Sequence, residues 1–444
     1  MKKKPRNGEP REPLDSFTIP KDSDMVVRQN KITSYTQISL LPHGDNIDMT
    51  ILLSVSSCLI YLVTEMLVFL GYSPASDIHL SYIWSMVVLV YCFKFLGYML
   101  KVYIQLGGGE RSLVALSTFL FVVIALFVSM ADKRYIDFGV EEGYSDFIDE
   151  FVKFANTTNL IESRSDLNIP STKAFKGALI IISGLIGALL TFPSFRFGAL
   201  NSKILHSSGK TGPTEGPSAT GNGSTTSDHE NESDKGNSFR DRLVLLLVHF
   251  NLISPILIVL CWCKPLVQDH IQSQADISDH TFALLRIGFI AAIMMIRVVS
   301  IKLYLQAHLD SAQLYLRHLK QEAGRVEHKT IQQKIAFTFQ YSSVIVLQIL
   351  TPAFIILQLC FLLVSLQNTP DILTPSKSTI LAGVSDVLPE IMSSGNVNMV
   401  RGIRVVLTKR FMTSVVSYLV WWMTSVMSVV TLFSTAYHHV SEQV

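Results

Sequence analysis

Residues 335–366 read IAFTFQYSSVIVLQILTPAFIILQLCFLLVSL, thirty-two residues without one Asp, Glu, Lys or Arg. A ~30 Å hydrocarbon core is crossed by about 20 apolar residues in a helix. At ~1.5 Å per residue this stretch is about 48 Å long. It must tilt, project beyond the bilayer, or break near Pro352, which cannot donate to the helical ladder. Seven more stretches outward from it have the same character: 49–70, 83–99, 112–130, 174–192, 243–262, 281–303 and 411–437. Composition agrees. Only 16% of the 444 residues are charged, against about 25% in soluble proteins. The sequence therefore predicts an all-α polytopic membrane bundle of about eight transmembrane helices, with the lipid bilayer as its first partner. The formal charge of +2 gives no bias towards nucleic acid.

Cytoplasmic loops carry the excess of Lys and Arg. Of the 37 such residues, 21 fall on the face shared by both termini and 11 on the other, the rest lying inside spans. Both termini are expected in the cytoplasm. The run Arg401, Arg404, Lys409 and Arg410 is the exception, because it flanks the last span on the outer face. The chain opens on Met1-Lys2-Lys3-Lys4-Pro5-Arg6 and stays polar to the first span. No cleavable leader is read there, and the first span serves as its own insertion signal.

This gives a cytoplasmic polar segment at 1–48 and a first membrane half at 49–192 with an acidic outer loop at 131–173. A disordered cytoplasmic loop follows at 193–242, then a second membrane half at 243–437 and a tail at 438–444. Between Ser207 and Ser238 the Gly, Ser, Thr, Pro and Asn content is too polar to offset the entropy of ordering. The outer loop holds nine acidic and five basic residues and the sequon Asn156-Thr157-Thr158. Asn156 is the glycosylation candidate. Asn222 and Asn231 head equally good sequons in the loop assigned to the cytoplasm, where the transferase does not meet them.

Charges inside spans are unfavourable by at least ~2.5 kcal/mol at the centre, which singles out Glu65, Lys94, Arg286 and Arg297. Glu65 and Arg286 each lie about 7 Å from the outer end of their spans, so an ion pair between them is expected. Lys94 lies about 13 Å deeper than Glu65 and level with Arg297. Arg286 and Arg297, eleven residues apart, return to one helix face. The functional reading is a hydrated pathway or an anion or headgroup site. The plain reading is one ion pair outside and two cations snorkelling to inner phosphates. His249, Asn251 and Pro255 share a span in which polar side chains either line a cavity or satisfy the carbonyl that proline frees. Ser183 and Gly187 form a small-xxx-small pair for close helix approach.

Beyond the sixth span, Leu305, Leu309, Ala312, Leu316, Leu319, Ala323 and Val326 keep a heptad spacing, so a cytoplasmic helix is expected at 303–326. Its seam could join two copies, hold a partner helix, or dock on the protein's own surface. The five cysteines give no disulfide framework or metal site, and the twelve histidines are scattered. Gly107-Gly108-Gly109-Glu110-Arg111 lacks the Lys-Ser/Thr of a phosphate loop. No catalytic, metal-binding or cofactor-binding signature is readable, so the expectation is a non-enzyme without cofactors.

Several short runs together resemble the transmembrane protein 161 family. They are Ile19-Pro20-Lys21-Asp22, Tyr61-Leu62-Val63-Thr64-Glu65, Gly108-Gly109-Glu110-Arg111-Ser112 and Leu190-Thr191-Phe192-Pro193, followed by His249-Phe250-Asn251, Lys264-Pro265, Leu305-Gln306-Ala307, Glu322-Ala323-Gly324-Arg325 and Trp421-Trp422. The resemblance implies a multi-pass protein of the plasma membrane or a secretory-pathway membrane, with no assigned catalysis. It further implies regulation of cellular ion currents, stress protection, and ion channels or other membrane proteins as partners. Glu65, Lys94, Arg286 and Arg297 stand where family members carry those charges. Members open with a further apolar segment that residues 1–48 do not contain, which bears on the side where the N-terminal region lies. The alternative to regulation is an ion or small-solute transporter or channel in its own right.

Overall fold

The computed structural model describes residues 16–18, 44–70, 80–106, 109–131, 135–136, 138–157, 170–209, 230–267, 278–322, 325–368 and 408–441. Its long elements are all helices: α1 (Gly44–Phe69), α2 (Leu80–Leu106), α3 (Gly109–Met130), α4 (Val140–Thr157), α5 (Thr172–Gly209), α6 (Glu230–Leu260), α7 (Asp279–Val299), α8 (Ile301–Glu322), α9 (His328–Asn368) and α10 (Lys409–Ser441). Eight helical stretches are long and apolar enough to cross a membrane, one for each expected span. α4 is an amphipathic addition, and α8 continues α7 after a single non-helical residue, Ser300.

Prolines do not end these helices. α9 is one helix of 41 residues through Pro352, about 61 Å long, so it projects rather than breaks. α5 likewise runs 38 residues through Pro193. This corrects the reading of 193–242 as a disordered loop: residues 193–209 are helical, α6 begins at Glu230, and 210–229 lie outside the described residues. Proline removes one ladder bond, and the helix is held just beyond Pro193 by packing on α10. There Thr431 Oγ1 donates to the Ser194 carbonyl at 3.4 Å, Ser434 Oγ to that of Phe195 at 2.5 Å, and Thr435 Oγ1 to that of Gly198 at 3.2 Å. The last helix also runs past the expected end of its span, so 438–441 of the tail are helical.

The core is organised on α9. In its most apolar stretch 89% of residues are buried, against 17% for α1 and α3, which face the surroundings. Ser57 of α1 and Ser85 of α2 both donate to Gln358 Oε1 of α9, at 2.8 and 3.1 Å. Gln348 of α9 donates to the Tyr103 hydroxyl of α2 at 2.7 Å. As α9 runs from 348 to 358 its partners on α2 fall from 103 to 85, so that pair is antiparallel.

α5 and α10 run parallel: Ser183 meets Tyr418 and Trp422, Ser194 meets Thr431, and Gly198 meets Thr435. Glycines set both of the close faces of α5. A Cβ on Gly187 would stand 2.5 Å from the Phe121 ring of α3, and one on Gly198 would stand 2.6 Å from both the Thr431 carbonyl oxygen and Ser434 Cβ. Ser183 and Gly187 each stand at a close helix approach, but against different neighbours, Ser183 against α10 and Gly187 against α3.

α4 closes the end of the bundle where α5 and α10 begin. Tyr144 stacks on Phe175 at 4.4 Å and Phe147 on Phe411 at 4.8 Å. Its acidic side chains meet bases across the junction: Glu141 pairs with Lys176, and Arg410 lies 3.3 Å from Asp146 and 3.8 Å from Glu142. Arg410, which looked out of place before the last span, is therefore matched by the acidic side chains of α4. Arg401 and Arg404 lie outside the described residues.

At the opposite end, β1 (Ser16–Thr18) pairs antiparallel with β2 (Arg325–Glu327). This cuts the heptad helix short: α8 ends at Glu322 and Val326 is in a strand. The face of α8 that docks carries Tyr304 and Ala307, packed with Ile301 and Leu303 against Phe197 and Leu200 of α5 and Ile345 and Ile349 of α9. The helix docks on the protein's own surface through this face and not through the expected seam, since Leu305, Leu309 and Ala312 are not in that cluster.

A buried arginine as the candidate functional site

Arg297 sits one turn before the interruption at Ser300. Its side chain points inward between α5, α6 and α8 and is 4% exposed. The guanidinium carbon stands 3.7 Å from the centre of the Phe197 ring, and the Tyr304 ring packs on the same Phe197 at 4.6 Å. Tyr304 and Arg297 are electrostatic neighbours. From α6, Asn251 Nδ2 donates to Ser300 Oγ at 3.2 Å, and Ser300 Oγ donates to the Ile296 carbonyl at 2.6 Å. The break in the helix is thereby tied to the neighbouring span. The Tyr304 hydroxyl lies beside Asn251 without completing a hydrogen bond.

Several buried polar atoms here have no partner among the described residues: Arg297 Nε, Tyr304 Oη, Ser254 Oγ one turn from Asn251, and both side-chain atoms of Asn201, one turn from Phe197. Among the described residues no Asp or Glu forms an ion pair with Arg297. The site is therefore a buried cation in a shell of aromatic faces and short polar side chains. Electrostatically it can hold negative charge or water; it has no nucleophile set beside a base.

The other candidates are dispersed. Arg286 lies over the Trp262 ring at 4.1 Å with its Nε unpartnered. Glu65 is half-buried on α1 beside Tyr61, one turn back. The expected Glu65–Arg286 ion pair is not formed, because the Trp262 face takes the guanidinium instead, a cation–π arrangement available without a carboxylate. Lys94 is exposed on α2 along a shallow groove with Tyr91 and Val90. His249 is exposed and its Nδ1 lies 2.8 Å from the Leu245 carbonyl of its own helix. Asn156 stands in the last turn of α4. Of the sequence candidates, only Arg297 and Asn251 come together, through Ser300.

Phe197, Asn201 and Tyr304 were missed. The loop argued from the composition of 207–238 was extended back to 193, although Phe197, Leu200, Asn201 and Ile204 keep the i, i+3, i+4, i+7 spacing of one helix face. Among the described residues no group of three or more His, Cys, Asp or Glu is placed to hold a metal ion.

No solved structure matches this chain. The model of the family described as predicted transmembrane protein 161AB matches residues 1–441. That match covers nearly the whole chain and accords with the eight apolar helices described above: the chain belongs to the predicted transmembrane protein 161AB family.

Proposed function

We propose that this multi-pass membrane protein is a non-enzymatic regulator of membrane ion currents, with a part in cell stress responses, that acts through partner proteins such as ion channels in the plasma membrane or a secretory-pathway membrane. The observation that supports regulation over conduction is the dispersal of the intramembrane charges. Lys94 and His249 are exposed, Glu65 is on a peripheral helix, Arg286 is half-buried against Trp262, and Arg297 is fully buried. A conduction path needs polar groups in series; the axial helix α9 buries Ala353, Ile355, Ile356 and Leu359, and its buried Gln348 and Gln358 are engaged by Tyr103, Ser57 and Ser85. Exposed polar groups on lipid-facing helices suit contact with another membrane protein.

The test is a flux assay on the purified full chain in protein-only liposomes, with whole-cell recording of cells that express it. Liposomes should stay silent to cations and anions while endogenous currents change in amplitude. Robust flux in liposomes that disappears in Arg297→Gln would transfer the assignment to a transporter or channel.

The same reading puts α4 outside, with Asn156 as the glycan carrier; Asn231 stands in the first turn of α6 at the other end of the bundle. Asn156→Gln should abolish the mobility shift produced by glycosidase. A shift that survives there and is lost in Asn231→Gln would invert the topology.

A further inference from the structure

A guanidinium stays protonated in proteins, and a charge left unpaired in a low-dielectric interior is strongly unfavourable. Arg297 is in that position: 4% exposed, with no carboxylate partner among the described residues. The Phe197 ring offsets part of the deficit. A water molecule could accept the Nε hydrogen but would leave the charge as it is. The other unpartnered groups around it, Tyr304, Ser254 and Asn201, are neutral and cannot compensate the charge. Among the described residues Arg297 Nε–H and the Tyr304 hydroxyl lack a partner, and Asn251 donates one amide hydrogen to Ser300. Tyr304 is 0% exposed, Ser300 3% and Asn251 3%, so there is no open route for a group as large as a phosphate, whereas a monatomic ion needs little more room than one water.

We propose that the Arg297 guanidinium and the Tyr304 hydroxyl hold a small inorganic anion of halide size as a fixed counter-ion at the junction of α5, α6, α7 and α8. Asn251 positions the site by holding Ser300, and with it the interruption between α7 and α8. The ion neutralises the interior and pins α8 to the bundle, so its binding is read in stability, independently of whether the protein alters currents.

The experiment uses the full chain in detergent micelles, with thermal unfolding followed in sodium chloride, bromide and gluconate at equal ionic strength. Chloride and bromide should raise Tm saturably by a few degrees over gluconate. Arg297→Gln should remove the dependence. Tyr304→Phe, which keeps the ring on Phe197, should weaken the apparent halide affinity about fivefold, the loss of roughly one hydrogen bond. A native chain indifferent to halide overturns the proposal. So does a rise given by phosphatidate-containing micelles and not by halide, which would assign the arginine to a lipid phosphate. Should Arg297→Gln not fold, Tyr304→Phe carries the comparison, and an unchanged halide response in that variant also overturns the proposal.

Discussion

Gly198→Val should lose most of its folded protein. The first atom of any side chain at 198 would stand 2.6 Å from the Thr431 carbonyl oxygen and 2.6 Å from Ser434 Cβ. The first belongs to the backbone of a buried helix and cannot rotate away, so α5 and α10 must separate. Separation stretches the hydroxyl-to-carbonyl bonds that join them at Ser194, Phe195 and Gly198. Overpacking typically destabilises by about 1–3 kcal/mol and occasionally more; with backbone on one side of the clash, about 3 kcal/mol or more is expected here. Gly288→Val is the control, since a Cβ there meets nothing within 4 Å. Size-exclusion recovery and thermal unfolding in detergent should separate the two variants clearly. Equal behaviour would mean that α5 and α10 are not in contact at this level.

Trp422→Ala should be comparably damaging for the opposite reason, a void. Trp422 is 1% exposed, donates its indole N–H to the Ser183 carbonyl at 2.9 Å, and meets Phe121 edge-on at 6.3 Å. It therefore links α10 to both α5 and α3. Truncation of a buried aromatic residue leaves a cavity that close-packed helices fill only partly, with a cost of about 3–5 kcal/mol. Phe433→Ala on the same helix removes a ring that is 65% exposed, and should be near neutral. Denaturant titration of the two variants in mixed micelles makes the comparison. A Trp422→Ala protein as stable as Phe433→Ala would refute the packing described for α10.

The eight spans were legible because the bilayer demands about 20 apolar residues at a time, and that signal survives without tertiary information. What misled was local punctuation. Pro352 read as a possible break and the loop was started at 193, yet both positions lie inside continuous helices, since neighbouring helices supply the support that an isolated helix lacks. The charges were legible one by one but not in pairs. Depth arithmetic matched Glu65 with Arg286, but nothing in the sequence showed that Trp262 would offer its face first. Arg410 failed the charge rule because that rule counts bases without asking which acids stand opposite, and Glu142 and Asp146 come from a loop more than 260 residues earlier. For Arg297, Phe197 came from a segment read as disordered and Tyr304 from a helix read as cytoplasmic, so the aromatic shell was not legible.

The parallel seam between the fifth and tenth helices also sets a clock on biogenesis. Gly198 and Thr435 meet across 237 positions of chain; at ~5–20 residues per second of synthesis, the ribosome takes about 10–50 seconds to deliver the second after the first. For that interval the glycine face of α5 has left the translocon without the helix that fits it. The nascent chain must wait with a lipid, an insertion factor or a provisional neighbour on that face until the last segment emerges, so the final span acts as the step that commits the whole bundle.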